Sequence, residues 1–419
     1  MLPGSSVLRT YLSLLNEDPC GPKSGFGGPF SPSRVLPAHS TVFLVASDAI
    51  LQRMALNTII DEAEKAFPPE VLAIDARYFH KHVQHLPVHY TSIDTSRMSV
   101  AYFCLGALDI LGILHTLTTE EERAGWIEWI YAQQIHPQTI DKAGAPSPHC
   151  GFRGGPFAGA PYSSHSSIPC NDFDSAHITM TYTALACLII LGDDLSRVNR
   201  DAITASLRQL QQENGSFCPN WGSDECDMRF LYCACTISFM LNDWRGVDVD
   251  RALAFIRNSQ TYEYAFGQGP GQEAHGGSTY CAVASLSLMN RLDELKGRDQ
   301  LIYWLLTRQV DGFNGRPNKP TDTCYSFWIG ASLDLLGVYH LVDTDTLKKF
   351  LKSTHTKYGG FGKGPGDYPD LLHSYMGLSG LAITKGVPGL AELHTGLGLT
   401  ARSMKHLNEK TVLSNTRAM

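Results

Sequence analysis

Asp322, Cys324 and His373 are of three side-chain types that bind zinc, and three protein ligands leave the fourth position open, as a catalytic zinc requires. Asp322 and Cys324 stand two residues apart, a spacing that does not share one face of a regular helix. At a helix start, where the cap residue is non-helical, both side chains can converge. On spacing alone the same residues read rather as an N-cap aspartate, a buried free cysteine and an unrelated histidine, because no Cys-x-x-Cys framework accompanies them. Positive charge gathers nearby. Arg316 and Lys319 precede Asp322, Tyr325 follows Cys324, His275 holds the matching helix start one unit earlier, and Lys363 lies in the next Gly-rich loop. Converging on helix N-termini, these groups form a cradle for a diphosphate. Taken singly, each lysine is also an ordinary solvated loop charge.

The elements that position these residues come from an internal repeat. Six times a polar residue opens an apolar stretch of helical length: at Arg97, His177, Asp227, His275, Asp322 and His373. In the first five, an aromatic follows five places later (Tyr102, Tyr182, Tyr232, Tyr280, Phe327), while the sixth has Leu378. Gly-rich loops such as FGQGPGQEAHGG (266–277) and DGFNGRPNKPTD (311–322) come before them and stop one helix ahead of the next. Amphipathic stretches between the units supply a second helix each. The inner helices are apolar nearly all round and are expected to be buried on both sides.

Six helix pairs that cannot bury their faces alone must stack, as an open solenoid or a closed ring. The expectation is an all-α fold, an (α/α)6 toroid (alpha-alpha barrel) with its Gly-rich loops at one end. The leading polar residues then ring a common mouth, and Tyr102, Phe103, Tyr182, Tyr232, Tyr280, Phe327 and Trp328 line an apolar shaft or form plain core. Residues 1–75 do not fit the repeat and carry a Gly/Pro-rich insertion at 18–37; residues 76–390 form the toroid and 391–419 a tail. The 165–174 segment lengthens one loop.

A net charge of −7 argues against sequence-independent nucleic-acid binding. No stretch approaches the roughly 18 apolar residues needed to span a bilayer, and residues 1–15 lack a secretory pattern. A soluble, cytoplasmic protein without stable membrane insertion is expected. Its 11 cysteines are expected to be reduced thiols, most of them, including Cys104, Cys187, Cys233, Cys235 and Cys281, filling the core.

At NGRPNKPTDTCYSFW (314–328) the chain resembles the β subunits of protein prenyltransferases. The likeness runs in order through LPVHYTSIDTSRMSVAYF, HITMTYTALACLIILGDDLSRVN, DMRFLYCA, GQEAHGGSTYC and YPDLLHSYMGLSGLA. Within that family it looks most like the type I geranylgeranyltransferases. The resemblance implies that Asp322, Cys324 and His373 hold one Zn2+. It implies that His275, Arg316, Lys319 and Tyr325 bind the diphosphate of geranylgeranyl diphosphate, beside a lysine from a partner α subunit. It implies that Tyr182, Arg229, Tyr232 and Trp328 line the lipid tunnel, and that His177 (directly) and Arg229 (through water) bind the C-terminal end of a C-a-a-X peptide. The clients would be proteins such as Rho-type small GTPases.

Two positions point to the subtype. Farnesyltransferases carry a tryptophan where Ser99 stands, and serine leaves room for a further isoprene unit at about 0.8 kcal/mol per buried CH2. Phe103 and Leu372 match the type I pocket. Where Lys363 stands, farnesyltransferases place a magnesium-binding aspartate, so Mg2+ is not expected to be required. The alternatives are a Rab-type geranylgeranyltransferase β subunit, a terpene cyclase on the same toroid, for which Asp343 and Asp345 are the nearest acidic string, and a non-enzymatic α/α-toroid binding module.

Overall fold

The computed structural model describes residues 67–137, 150–156 and 175–417. The expected insertion at 18–37 and the lengthened loop at 165–174 lie outside the described residues.

Apart from single turns, helices alternate between an outer and an inner layer. They are α1 (Pro69–Gln84), α2 (Arg97–Ile110), α3 (Glu120–Tyr131), α4 (Ile178–Leu191), α5 (Arg200–Leu210), α6 (Met228–Leu241), α7 (Val249–Asn258), α8 (Gly276–Leu288), α9 (Arg298–Leu306), α10 (Tyr325–Leu335), α11 (Thr344–Thr354) and α12 (Leu371–Ile383). The even-numbered helices contact one another in cyclic order, and α12 returns to α2, closing the ring. Every residue of α4 is buried, as expected of an inner helix with neighbours on all sides. The outer helices bury one stripe each, such as Leu347, Phe350 and Leu351 of α11. No helix among the described residues is long and apolar enough to cross a membrane.

One device opens five of the six inner helices, all but α2. A side chain just ahead of the helix accepts a backbone N–H of the first turn: His177 from Thr179, Asp227 from Arg229, His275 from Gly277, Asp322 from Cys324 and Asp370 from His373. The backbone N–H groups of His177, Asp227, His275 and Asp322 donate to the carbonyls of Phe152, Phe217, Phe266 and Phe313 in the preceding loops. Gly-rich loops and helix starts are thereby tied together at one end of the ring.

The sixth unit departs from its expected register. Its cap is Asp370, not His373, which sits one turn into α12. Counting from Asp370, the aromatic five places on is Tyr375, so the series continues where Leu378 seemed to break it. Rings of Tyr102, Tyr182, Tyr232, Tyr280 and Phe327 meet in sequence at 5.2–5.9 Å between centroids, and Tyr375 meets Tyr102 at 5.2 Å.

The boundaries expected at 75 and 391 also shift. Helix α1 runs through residue 75 because Leu72, Ala76 and Phe79 form one buried stripe. Asp75, fully buried, joins the ring's two ends: its Oδ1 accepts from Gly360 N (2.7 Å) and lies 2.8 Å from His355 Nε2. Beyond 390, strands β1 (Leu393–His394) and β2 (Leu399–Thr400) make a hairpin, followed by α13 (Ala401–Arg417). Buried Asp109 of α2 anchors this segment, accepting from Thr400 Oγ1 (2.6 Å), Ser403 Oγ (2.7 Å) and Arg402 Nη2 (2.7 Å).

The core cysteines Cys104, Cys187, Cys233, Cys235 and Cys281 are buried free thiols. Cys218 and Cys226 correct the expectation of reduced thiols throughout, being joined in a disulfide. The antiparallel bridge between Phe217 and Asp227 brings their neighbours face to face.

Candidate active site

The cap geometry at two adjacent helix starts brings the candidate metal ligands together. Asp322, Cys324 and His373 are buried, and one ligand atom from each lies within 4.8 Å of the other two. Asp322 reaches them because its cap conformation turns the carboxylate back over Cys324 N (2.9 Å). His373 Nδ1 lies 2.6 Å from Asp370 Oδ2, which fixes the ring with Nε2 toward Asp322 Oδ1 at 3.3 Å. Among the described residues that Nε2 is buried without a hydrogen-bond partner. A carboxylate orienting the far nitrogen of a histidine is the usual support of a metal ligand. Burial opposes charge on His373, but Asp370 and Asp322 overcome it and hold the ring's pKa up at about 10. Burial, together with Asp322, pushes the Cys324 thiol well above its ordinary value. Buried oxygen, sulfur and nitrogen donors gathered within 4.8 Å of one another fit a zinc site.

The cationic cradle lies beside this group. Lys363 Nζ is 3.8 Å from Asp322 Oδ2, and Thr323 N donates to the Lys363 carbonyl (2.9 Å). Tyr325 Oη is 2.9 Å from His275 Nε2. Burial and Arg316 depress the His275 pKa to about 3, so the ring is neutral. Its Nδ1 accepts from Gly277 N (3.0 Å), which leaves the proton on Nε2. Nε2–H therefore donates to the Tyr325 oxygen, and the phenol's own O–H is released to donate elsewhere. Gly315 lets this ring lie flat: a Cβ there would come 2.2 Å from Tyr325 Cζ. Arg316 is ion-paired with Glu273, and Lys319 is half-buried in the same loop.

Below the mouth lies a small cavity of about 40 Å3. Its wall includes Tyr182, Arg229, Tyr232 and Trp328, with Tyr102, Tyr280 and Phe327. Ser99, Phe103 and Leu372 are not among its lining residues. Ser99 Oγ instead meets Met180 Sδ at 3.7 Å, and the Phe103 ring packs on Tyr375. Arg229 is buried, gripped by Asp227 (Nη2–Oδ2 2.5 Å) and Glu225 (Nη2–Oε1 2.6 Å). His177 Nδ1 accepts from Thr179 N (3.1 Å), and burial with Arg229 lowers its pKa to about 3. Its Nε2–H is thus a buried donor, and among the described residues it has no partner. Of the alternative acidic string, Asp343 is the N-cap of outer helix α11 and Asp345 lies in its first turn.

Sequence reasoning missed Asp370, Glu273 and the acidic grip on Arg229. Asp370 had a signal, a capping residue three places before a histidine. The other two depend on tertiary approach.

Residues 73–409 match the prenyltransferase alpha-alpha toroid domain family. The chain is 41% identical over 338 residues to the geranylgeranyl transferase type-1 subunit beta of Dictyostelium discoideum, covering 78% of this chain and 94% of that one. It is 39% identical over 331 residues to the Arabidopsis thaliana protein of the same description, covering 75% and 84%. Among solved structures, the Candida albicans protein geranylgeranyltransferase-I complexed with GGPP aligns at a TM-score of 0.72 and 26% identity, covering 81% of this chain and 98% of that one.

Proposed function

The chain belongs to the prenyltransferase alpha-alpha toroid family, and from that premise we propose that it is the catalytic β subunit of a type I protein geranylgeranyltransferase. It transfers the geranylgeranyl group of geranylgeranyl diphosphate to the cysteine of a C-terminal C-a-a-X motif, X mainly leucine, as a thioether. One observation carries this reading: a buried carboxylate, thiol and imidazole group stands beside a cationic and phenolic cradle, above an apolar cavity.

Asp322, Cys324 and His373 would hold zinc. Bound there, the metal supplies a Lewis acid that ionises a substrate thiol near neutral pH. The chain's own residues do the rest. The target sulfur forms a bond to C1 of the lipid as the C1–O bond breaks, and the electron pair leaves with the diphosphate. Tyr325, its O–H released by His275, donates to that oxyanion. Arg316, Lys319 and Lys363 offset its charge. Lys363 stands where a second cation would help, so Mg2+ is not needed. The buried His177 donor and the restrained Arg229 guanidinium receive the carboxyl-terminal end of the peptide. The apolar wall takes the hydrocarbon. Type I relatives matched over three quarters of the chain favour this over the Rab-type alternative. The working enzyme is a heterodimer with a prenyltransferase α subunit, in the cytoplasm, acting on C-a-a-X proteins such as Rho-type GTPases.

The test is co-expression with an α subunit and competition between geranylgeranyl and farnesyl diphosphates for a short C-a-a-Leu peptide, with enough EDTA to strip Mg2+. Geranylgeranylation of the free peptide is expected. A need for an escort protein would move the assignment to the Rab type, and a strict need for Mg2+ would remove the role given to Lys363.

A further inference from the structure

The cavity's floor comes from outside the repeat. Between β1 and β2, the turn at 395–398 passes beneath the aromatic layer, and each of its carbonyls accepts from tyrosine hydroxyls above. Tyr280 of α8 donates to Thr395 O (2.9 Å) and Tyr232 of α6 to Gly396 O (3.1 Å). Tyr182 of α4 and Tyr102 of α2 reach Leu397 O (3.4 and 3.5 Å). Tyr375 of α12 and Tyr102 reach Gly398 O (3.0 and 3.3 Å). Burial raises the pKa of Tyr102, Tyr232 and Tyr375, so these hydroxyls stay protonated and can donate.

The turn therefore follows the ring from α8 round to α2. In the cyclic order of the inner helices these two stand opposite one another. The cradle of His275, Tyr325 and Arg316 is at the α8 and α10 starts. A lipid whose phosphates lodge there extends across the ring toward α2 and α4. Of the turn's four residues, only Leu397 and Gly398, on that far side, line the cavity. Gly398 has φ +68°, and a Cβ there would come 2.6 Å from Tyr102 Oη and 2.9 Å from Tyr375 Oη. The floor is bare backbone at Gly398, and Leu397 is the side chain that the turn presents to the end of the lipid.

We propose that Leu397 is the end-stop of the lipid cavity and sets the longest prenyl chain the protein accepts. The proposal rests on the reading above that this cavity takes a prenyl diphosphate. It places length selection on a segment fixed to the ring by tyrosine hydroxyls, in addition to the expected position at Ser99.

The heterodimer is assayed for transfer to one C-a-a-Leu peptide from farnesyl, geranylgeranyl and geranylfarnesyl diphosphates. Leu397→Trp is expected to lower the geranylgeranyl-to-farnesyl ratio of kcat/KM by about tenfold or more, and Leu397→Ala to raise the geranylfarnesyl-to-geranylgeranyl ratio about fivefold. These ratios do not depend on the fraction of protein folded, so partial misfolding of the bulky variant does not obscure the result. If Leu397→Trp yields no active protein, the Leu397→Ala ratio decides alone. Ratios within about twofold of the unaltered enzyme in the variants measured overturn the end-stop. An unaltered heterodimer that uses none of the three donors overturns the functional reading instead.

Discussion

Asp370 has two jobs that one substitution can separate. Its Oδ1 caps α12 at His373 N (2.9 Å), and its Oδ2 holds His373 Nδ1 at 2.6 Å. Asp370→Ala removes both. Loss of a cap costs about 1 kcal/mol of stability. Loss of the carboxylate behind a ligating histidine costs about 10–100-fold in metal affinity. The Asp370 side chain is 44% exposed, so water can partly replace it, and the expected loss is near the lower end, about tenfold, or about 1.4 kcal/mol. Asp370→Asn has a single oxygen: used for the cap at His373 N, it leaves an amide NH2 opposite Nδ1–H, so the cap should survive while zinc affinity falls about as far as in Asp370→Ala. Zinc affinity of the heterodimer is read by competition with a chromophoric chelator, and the cap by the melting temperature of the metal-free protein. An Asp370→Ala protein that melts lower yet binds zinc within about twofold of the unaltered protein would show that the carboxylate only caps the helix, and the orienting role would be wrong.

Three further outcomes are expected. Cys324→Ala should lose bound zinc on metal analysis, and a full retained equivalent would remove the metal assignment. Asp75→Ala should leave Gly360 N–H and His355 without their buried partner, costing about 3 kcal/mol in denaturant unfolding; a loss below about 1 kcal/mol would mean the clasp is not needed. His177 and His275 titrate near 3 in the fold against an ordinary 6.5, so between those values the unfolded chain takes up protons that the fold refuses. Stability should fall as pH drops through that window, by up to about 1.4 kcal/mol per unit for each ring. His177→Asn should flatten the slope between pH 6.5 and 5, and an unchanged slope would contradict the depressed pKa.

The ring was legible because it is written locally. Glycine-rich stops, cap residues and stretches apolar on all sides recur six times, and inner helices have no other place to go. The aromatic layer was legible for the same reason, except at the sixth unit. There two polar residues, Asp370 and His373, compete for the role of first residue, and only the cap bond to His373 N decides between them. The candidate metal group was marked by residue type together with the family likeness, since spacing alone left a bland reading open. The floor could not be foreseen. Residues 393–400, LHTGLGLT, have no period and no chemistry of their own, and they matter only because tyrosines far away in the chain aim hydroxyls at their carbonyls. Asp75 was hidden likewise: one acid within an ordinary amphipathic helix, whose partners lie 280 and 285 residues on. Ser99 and Phe103 share α2 with the floor's Tyr102, yet their contacts turn toward Met180 and Tyr375, which residue type could not reveal.

That last separation has a bearing on how the chain reaches its native state. A circle assembled from consecutive pairs has a seam, and here α1 must wait for the loop at 355–360 to be synthesised before its buried acid finds a partner. Most neighbouring pairs can dock as they emerge, but final joining closes a very long loop, which slows such steps and leaves greasy helix faces open meanwhile. Substitutions on either side of the seam, although hundreds of residues apart, should therefore impede one and the same late event, and their effects on refolding rate should overlap rather than add.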